Sequence, residues 1–463
     1  MALNNPSVGL PGYRHIWNIS YPVMIGMLAQ NIIGASDTAF LGRVGEVELG
    51  AAALGSMYYL VLCIIGYGYS VGAQIIMSRR IGEKRFRQVG DVLHHTLYFF
   101  VALFLILFFL SKYFQHSIIQ QIVESVPVSR ATGEYVSVRV HGLIFAYLGT
   151  AYRAFHISRG YTQPILWNAV LVAVLNIALN YLLIFGSVFC EPMGIRGAAL
   201  ASVLSEGLGL LFYWVHASHK AIRRKYHLYG WARPKMHLIK SIFRVSSFVM
   251  VQYFLSMGTW FGFFLIIEKT GSAELASTNI VRSIYSLIGI PIWAFFSTII
   301  TLVSQAFGQG QVGQLFPLIR RVGWMAVCTS LLMNILVWAF PHQWLALYTN
   351  DQGLRALSLE SLYVITLAHT CFALGGVVFH AVSGTGKTRV ALGIEVSTLV
   401  LYVLFLILFR SWFAERIAFA WFSELVYSLG VGLFSWVYLR KIFLTQSRDA
   451  LGTTRTGVVS ADG

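Results

Sequence analysis

Apolar residues run along this chain in stretches of about twenty or more, separated by short polar segments, with no period-two alternation inside the stretches. About 20 mainly apolar residues cross roughly 30 Å of hydrocarbon, and lipid admits only helices or closed barrels because nothing there satisfies a free backbone group. Long runs without alternation select helices. The pattern predicts twelve of them, over 15–41, 49–79, 89–111, 131–158, 163–185, 195–217, 240–267, 275–307, 317–340, 356–383, 390–409 and 417–439. The expected fold is therefore all-α and integral to a membrane.

Composition narrows this further. Of 463 residues, 57% are hydrophobic and 11% charged, against about 25% charged in soluble domains. Mean hydropathy is +0.68. A net charge of +16 would point to nucleic acid in a soluble chain. Here the basic residues gather at helix ends, chiefly at the N-terminus, the even-numbered loops and the tail, with runs such as Arg79-Arg80 and Arg223-Arg224-Lys225. Cytoplasmic loops accumulate Lys and Arg, so both termini and the 218–239 segment are expected in the cytoplasm, with the protein in the plasma (inner) membrane. The basic linker is then a topology signal and a lipid contact, with no nucleic acid or nucleotide as partner. Met1 to Tyr13 shows no removable signal peptide. Cys63, Cys190, Cys328 and Cys371 have no paired spacing and imply neither disulfide nor metal site. The stretch 446–463 is small and polar and is expected to be a disordered cytoplasmic tail.

The chain also repeats itself. An offset of 226 aligns Ser20 with Ser246, Gly45 with Gly271, Glu48 with Glu274, Leu49 with Leu275, Ser78 with Ser304 and Gly82 with Gly308. An offset of 224 aligns Phe155-His156 with Phe379-His380, and one of 222 aligns Phe212 and Trp214 with Phe434 and Trp436. Ordered matches over the whole length indicate duplication. Six helices per copy is an even number, so both copies begin on the same side and form parallel repeats, with a cavity expected between the lobes. The division is 1–235 for the N-terminal lobe with its linker and 236–445 for the C-terminal lobe.

Ionisable groups inside apolar spans are costly, which makes each a functional candidate. Asp37 is either an interfacial residue near the end of the first span or a buried site. At 1.5 Å rise per residue, Asp37, Asn180, Ser202 and Asn176 lie about 6, 8, 11 and 14 Å inside the outer ends of helices one, five and six. Asn176 and Asn180 share one helix face. Glu206 lies one turn below Ser202 and either extends a proton path or pairs with Arg139 or Arg153. Glu395 and Glu424 are the membrane carboxylates of interest in the second half, where they contact cationic substrate or serve structure. His156 and His380 occupy equivalent helix ends and read as packing groups. Gly66, Gly68 and Gly72 suit close helix contact, and Pro22 and Pro291 bend helices without breaking them. Gln30, Gln252, Met257, Trp260, Tyr285 and Trp293 are candidates for a substrate cavity, the aromatic ones through cation–π attraction, with lipid-facing packing as the alternative.

Several stretches together resemble the multidrug and toxic compound extrusion (MATE) family: Pro22 ahead of Asp37-Thr-Ala-Phe-Leu-Gly-Arg-Val-Gly45, Asn176-Ile-Ala-Leu-Asn180-Tyr-Leu-Leu-Ile-Phe-Gly186, and Gly197-Ala-Ala-Leu-Ala-Ser202. The resemblance covers roughly residues 12 to 443. It implies secondary antiport, exporting organic cations or other amphipathic compounds against inward H+ or Na+, with no other cofactor, by a monomer. Asp37, Asn176, Asn180 and Ser202 would then form the coupling site, and the metal site if the ion is Na+. Many members carry a second carboxylate where this chain has Asn180, and one branch has acidic residues in helices seven and ten where this chain offers Gln252, His369 and His380. That pattern is similar to the DNA-damage-inducible branch.

Two motifs imitate enzymes. Gly384-Thr-Gly-Lys-Thr388 lacks the leading glycine of a phosphate loop and follows a helix where a strand is required. Gly68-Tyr-Ser-Val-Gly72 matches a nucleophile elbow, raising an intramembrane serine protease as a remote reading, but His94 and His95 lie near the opposite end of their helix. A lipid-linked precursor flippase of the same superfamily is the second transport reading. An antiporter that is not an enzyme is the expectation.

Overall fold

Each apolar run forms helix in the computed structural model, which describes residues 10–186, 191–230, 232–413 and 415–456. Twelve long helical segments follow one another: α1 (Tyr13–Leu41), α2 (Glu46–Gly82), α3 (Phe86–Ile122), α4, α5 (Gln163–Phe185), α6 (Gly194–Ala217), α7 (Met236–Glu268), α8 (Ser272–Gly308), α9 (Leu315–Ala339), α10 (Gln352–Gly384), α11 (Thr388–Leu408) and α12 (Phe422–Thr456). α4 comes in two pieces, Val126–Arg139 and Leu143–Ser158, joined by a 3-10 turn at Val140–Gly142. Among the described residues, ten helices are long and apolar enough to cross a membrane; α1 and the interrupted α4 complete the twelve. In α1 the second half carries Gln30, Asn31, Ser36, Asp37 and Thr38, which dilute its apolarity.

Pro22 and Pro291 lie inside α1 and α8, and each helix continues through its proline. The three glycines of α2 serve close packing. A Cβ on Gly66 would enter the Tyr147 ring, and one on Gly68 or Gly72 would meet the α7 backbone at Met250 or Ser246. The stretch resembling a phosphate loop is the turn between α10 and α11, with Gly386 at φ +82. Ser70, the nucleophile of the elbow-like motif, is buried and donates to the Thr150 carbonyl at 2.8 Å.

Two compact units emerge, Trp17–Phe254 and Leu255–Gly463 with Met1–Ile16. The loop-based division at 235/236 therefore shifts into α7. Its first half belongs with the N-terminal unit because Ile242 sits in one buried cluster with Tyr69, Phe100 and Tyr147, and Ser246 donates to the Tyr69 carbonyl at 3.1 Å. The chain start belongs with the other unit because Arg321 donates to the carbonyls of Leu10 (3.2 Å) and Pro11 (2.7 Å). α12 continues to Thr456, past the boundary drawn at 445 from composition, since no proline stops it; the rest of the expected tail lies outside the described residues.

The linker is anchored, not free. Tyr98 donates to the Ala232 carbonyl at 2.6 Å and the Lys235 amide donates to His95 Nε2 at 2.8 Å. The short helix Lys220–Tyr226 lays Lys225 over the Phe86 ring at 4.5 Å. Burial pushes the Lys225 ammonium below its ordinary value, and the charge of Arg159 acts the same way.

Candidate functional site

The N-terminal unit holds a cavity of about 600 Å³ among α1, α2, α4, α5 and α6, within the range of roughly 300–1,000 Å³ usual for small-molecule sites. Helical spacing explains its walls. Tyr59, Cys63 and Tyr67 stand four residues apart on one face of α2, and Ser202, Glu206, Gly209 and Tyr213 follow one stripe of α6; all seven line the cavity. α1 contributes Gln30 and Asp37.

Asp37 ends a hydrogen-bonded chain that crosses three helices. Asn180 Nδ2 donates to Asp37 Oδ1 at 2.5 Å and to Asn176 Oδ1 at 3.0 Å. Asn176 Nδ2 in turn donates to Ser202 Oγ at 3.2 Å. The four residues read from sequence as one site are thus joined side chain to side chain. Both asparagines are fully buried, and Asn180 Oδ1 has no protein partner. That orphaned acceptor faces the cost of an unmade hydrogen bond in an interior without bulk water, so the site has capacity for one more donor or for a cation.

Lower in the cavity Glu206 is committed to Arg139. The guanidinium donates to both carboxylate oxygens, at 2.9 Å and 2.5 Å, Tyr59 donates to the same carboxylate at 3.3 Å, and Arg139 stacks on the Tyr59 ring at 3.7 Å. A bidentate pair is directional as well as strong. Of the two alternatives, the geometry favours the ion pair over a proton path through Glu206, and it selects Arg139 over Arg153 as the partner. The 3-10 turn in α4 accommodates it: a Cβ on Gly142 would collide with Arg139 and crowd Glu206.

The MatE family matches this chain over residues 22–182 and again over 247–408, one copy in each half of the sequence. The chain belongs to this family. Relatives include the probable multidrug resistance protein NorM of Thermotoga maritima, 24% identical over 380 residues covering 81% of this chain and 80% of that protein. Another is the probable multidrug resistance protein YoeA of Bacillus subtilis, 22% identical over 375 residues covering 79% and 80%. Solved structures share the fold. A multidrug resistance MATE family transporter of the MOP superfamily, in an outward-facing conformation, superimposes with TM-score 0.86 at 19% identity over 95% of this chain and 97% of that one. A MOP superfamily transporter from Pyrococcus furiosus does so with TM-score 0.84 at 19% identity over 94% and 96%. Members of the MATE family are transporters, not enzymes, and this one is a multi-pass membrane protein built from two six-helix repeats.

The remaining cavity candidates of this MATE protein divide. Gln30 lines the N-terminal cavity, as above, while Gln252 is buried in the same unit. In the C-terminal unit Tyr285 is core: it packs with Phe263, Ile284 and Leu362, takes the Trp260 ring in a stack at 6.2 Å, and meets His369 edge-on at 5.9 Å. Packing inside the helix bundle, in place of the lipid-facing packing considered as the alternative, accounts for Trp260 and Tyr285. Met257 and Trp293 remain partly exposed, and nothing gathers them with the others. His380 stacks on Phe296 at 4.4 Å and binds the Gly376 carbonyl, and His156 is buried against Phe155, Tyr213 and His216, so both pack as expected.

Glu395 and Glu424 are buried at 1% and 5% exposure and are held by hydroxyls. Ser256 donates to Glu395 at 2.5 Å, Tyr427 donates to it at 3.0 Å, and Tyr402 donates to Glu424 at 3.3 Å. Among the described residues no Lys or Arg forms an ion pair with either. The tyrosines lining the N-terminal cavity were not singled out from sequence; the four-residue spacing of Tyr59, Cys63 and Tyr67 was the available signal.

Proposed function

We propose that this MATE protein is a secondary active efflux antiporter that exports amphipathic small molecules in exchange for inward H+, with Asp37 as the coupling carboxylate. The observation that carries the reading is the chain Asp37–Asn180–Asn176–Ser202, which ties α1, α5 and α6 together at the wall of a cavity large enough for a drug-sized compound. The multidrug resistance relatives support the substrate class. A proton on Asp37 removes the charge that the Asn180 amide holds, loosening the link between α1 and α5. The helices then repack, and the cavity's hold on substrate changes, as alternating access requires. Inward movement of one charge gains about 2.3 kcal/mol per 100 mV. Na+ would use the same oxygens, since a hard cation accepts carboxylate, amide and hydroxyl ligands; an amide at 180 leaves that ion one carboxylate short of the common family pattern.

The test is a proteoliposome assay with imposed pH or Na+ gradients and a panel of organic cations and amphipathic dyes. A pH gradient drives export in the wild type, and Asp37→Asn abolishes it while the protein remains inserted and monodisperse. Export by Asp37→Asn at the wild-type rate removes Asp37 from the mechanism; export driven by Na+ alone overturns the proton assignment. Both termini and the 218–239 linker face the cytoplasm of the inner membrane in this reading. Cysteines placed in the linker will resist impermeant maleimides in whole cells, and efficient labelling from outside would invert the topology.

A further inference from the structure

We propose that the N-terminal cavity takes compounds that carry an anionic group on a flat apolar body, with Arg153 as the anchor for the anion. The inference rests on reading this cavity as the transport site and narrows the class of compound it admits. Arg153 lines the cavity. Among the described residues no carboxylate lies within ion-pair distance of it, and no side chain or carbonyl accepts from it. A cation within a membrane span is expensive and is normally paired. The other arginine in the cavity obeys that rule, since Arg139 is neutralised bidentately by Glu206. Arg153 alone is left with its charge uncompensated.

Its surroundings fit a ligand better than they fit a helix-end residue reaching for lipid headgroups. Tyr67 of α2 and Tyr213 of α6 both lie within electrostatic reach of the guanidinium and both line the cavity. Phe145 and Tyr147 supply further apolar wall. A planar guanidinium recognises a carboxylate, sulfonate or phosphate through paired N–H donors, and aromatic faces accommodate a flat body beside it. The cavity is also polarised. Asp37 and Ser202 mark one level, Tyr213 and Arg153 the other, and a rise of eleven residues along α6 from Ser202 to Tyr213 separates the levels by about 16 Å. Between them the Arg139–Glu206 pair contributes no net charge. A simple organic cation meets uncompensated repulsion at the Arg153 end, whereas an anion or a zwitterion with its carboxylate at Arg153 cancels it.

The experiment measures binding to the purified full-length protein in detergent by fluorescence anisotropy, with carboxyfluorescein as the anionic probe and ethidium as the cationic one. Arg153→Gln lowers carboxyfluorescein affinity by about tenfold or more, the worth of a charged hydrogen bond to a carboxylate, Arg153→Lys restores part of it, and ethidium binding is unchanged or tighter. Equal carboxyfluorescein affinity in wild type and Arg153→Gln overturns the proposal, as does binding of ethidium alone by the wild type. Titrating phosphatidylglycerol into the micelles separates the sources of the anion. Displacement of carboxyfluorescein by the lipid in wild type assigns the anchor to a headgroup, and lack of displacement assigns it to soluble compounds. Ethidium retention by the Gln variant verifies its fold. Failure of the efflux reading looks different: no dye is exported under any gradient while Arg153-dependent binding persists.

Discussion

The two repeats place acidic groups at different points of the same scaffold. The offset of 226 that pairs Ser20 with Ser246 also pairs Asp37 with Phe263, and the offset of 222 that pairs Phe212 with Phe434 pairs Ser202 with Glu424. In the N-terminal unit the carboxylate is on the first helix of the repeat, bridged by asparagines to a serine on the sixth. In the C-terminal unit the first-helix position is Phe263, packed on Trp421 at 5.3 Å, and the carboxylate has moved to the sixth helix, where Tyr402 holds it. The N-terminal carboxylates line a cavity, while Glu424 and Glu395 are enclosed by tyrosine and serine hydroxyls. The same helices thus yield an accessible node in one copy and a sealed one in the other. Access, not the presence of acid, distinguishes the coupling site proposed at Asp37 from the C-terminal carboxylates.

The comparison is most exposed to matched neutralisation. Asp37→Asn is expected to abolish gradient-driven export, whereas Glu424→Gln keeps the hydrogen bond from Tyr402 and loses about two- to threefold at most. Equal and complete loss in both variants, with both proteins intact, would make the C-terminal node a coupling site and end the asymmetry. The next effect is on stability. Arg139 is buried and Glu206 partly so, so Glu206→Gln or Arg139→Gln alone leaves a partly desolvated, unpaired charge at a cost of about 1–3 kcal/mol, whereas removing both is milder. Thermal unfolding in detergent across the double-mutant cycle measures this. If the double variant is as unstable as the sum of the singles, the two residues do not act as a pair.

Much of this arrangement was legible from one sequence because lipid thickness sets helix length. The run 163–185 coincides with Gln163–Phe185, and 195–217 begins one residue inside Gly194–Ala217. The grouping of these candidate residues is legible for the same reason: counting 1.5 Å per residue from helix ends places Asp37, Asn180 and Ser202 at similar depth, and hydrogen bonds through Asn176 join them. What depth alone leaves open is the facing of helices. Arg139 and Arg153 lie on one helix about 21 Å apart along its axis, and only the register of α4 against α6 selects Arg139 for Glu206. The cavity depends on that register too, which is why helical spacing alone does not mark Tyr59, Tyr67 and Tyr213 as walls and leaves Trp260 and Tyr285 open between cavity and packing, where the structure packs them. The domain boundary moved for a related reason. A loop is where the chain turns, but the first half of α7 packs where Ile242 and Ser246 find partners.

The smallest effect distinguishes the coupling ion. Ser202 stands at the far end of the chain from Asp37, and its hydroxyl accepts from Asn176 at 3.2 Å. Under proton coupling, Ser202→Ala removes that acceptor but leaves the short contact between Asn180 and Asp37, through which protonation acts. The cost is that of one neutral hydrogen bond, about 0.5–1.5 kcal/mol, so transport falls about two- to tenfold and Ser202→Thr, which keeps the hydroxyl, restores it. Under Na+ coupling the same hydroxyl is a ligand to a hard cation that takes six or more oxygens. Its loss would raise the Na+ concentration needed for half-maximal export well beyond tenfold while leaving the maximal rate nearly intact. Rates of Ser202→Ala measured against both pH and Na+ therefore read the ion directly. A large shift along the Na+ axis transfers the site from proton to metal chemistry, and a small uniform loss along the pH axis keeps Asp37 as a proton carrier with Ser202 as its distant support.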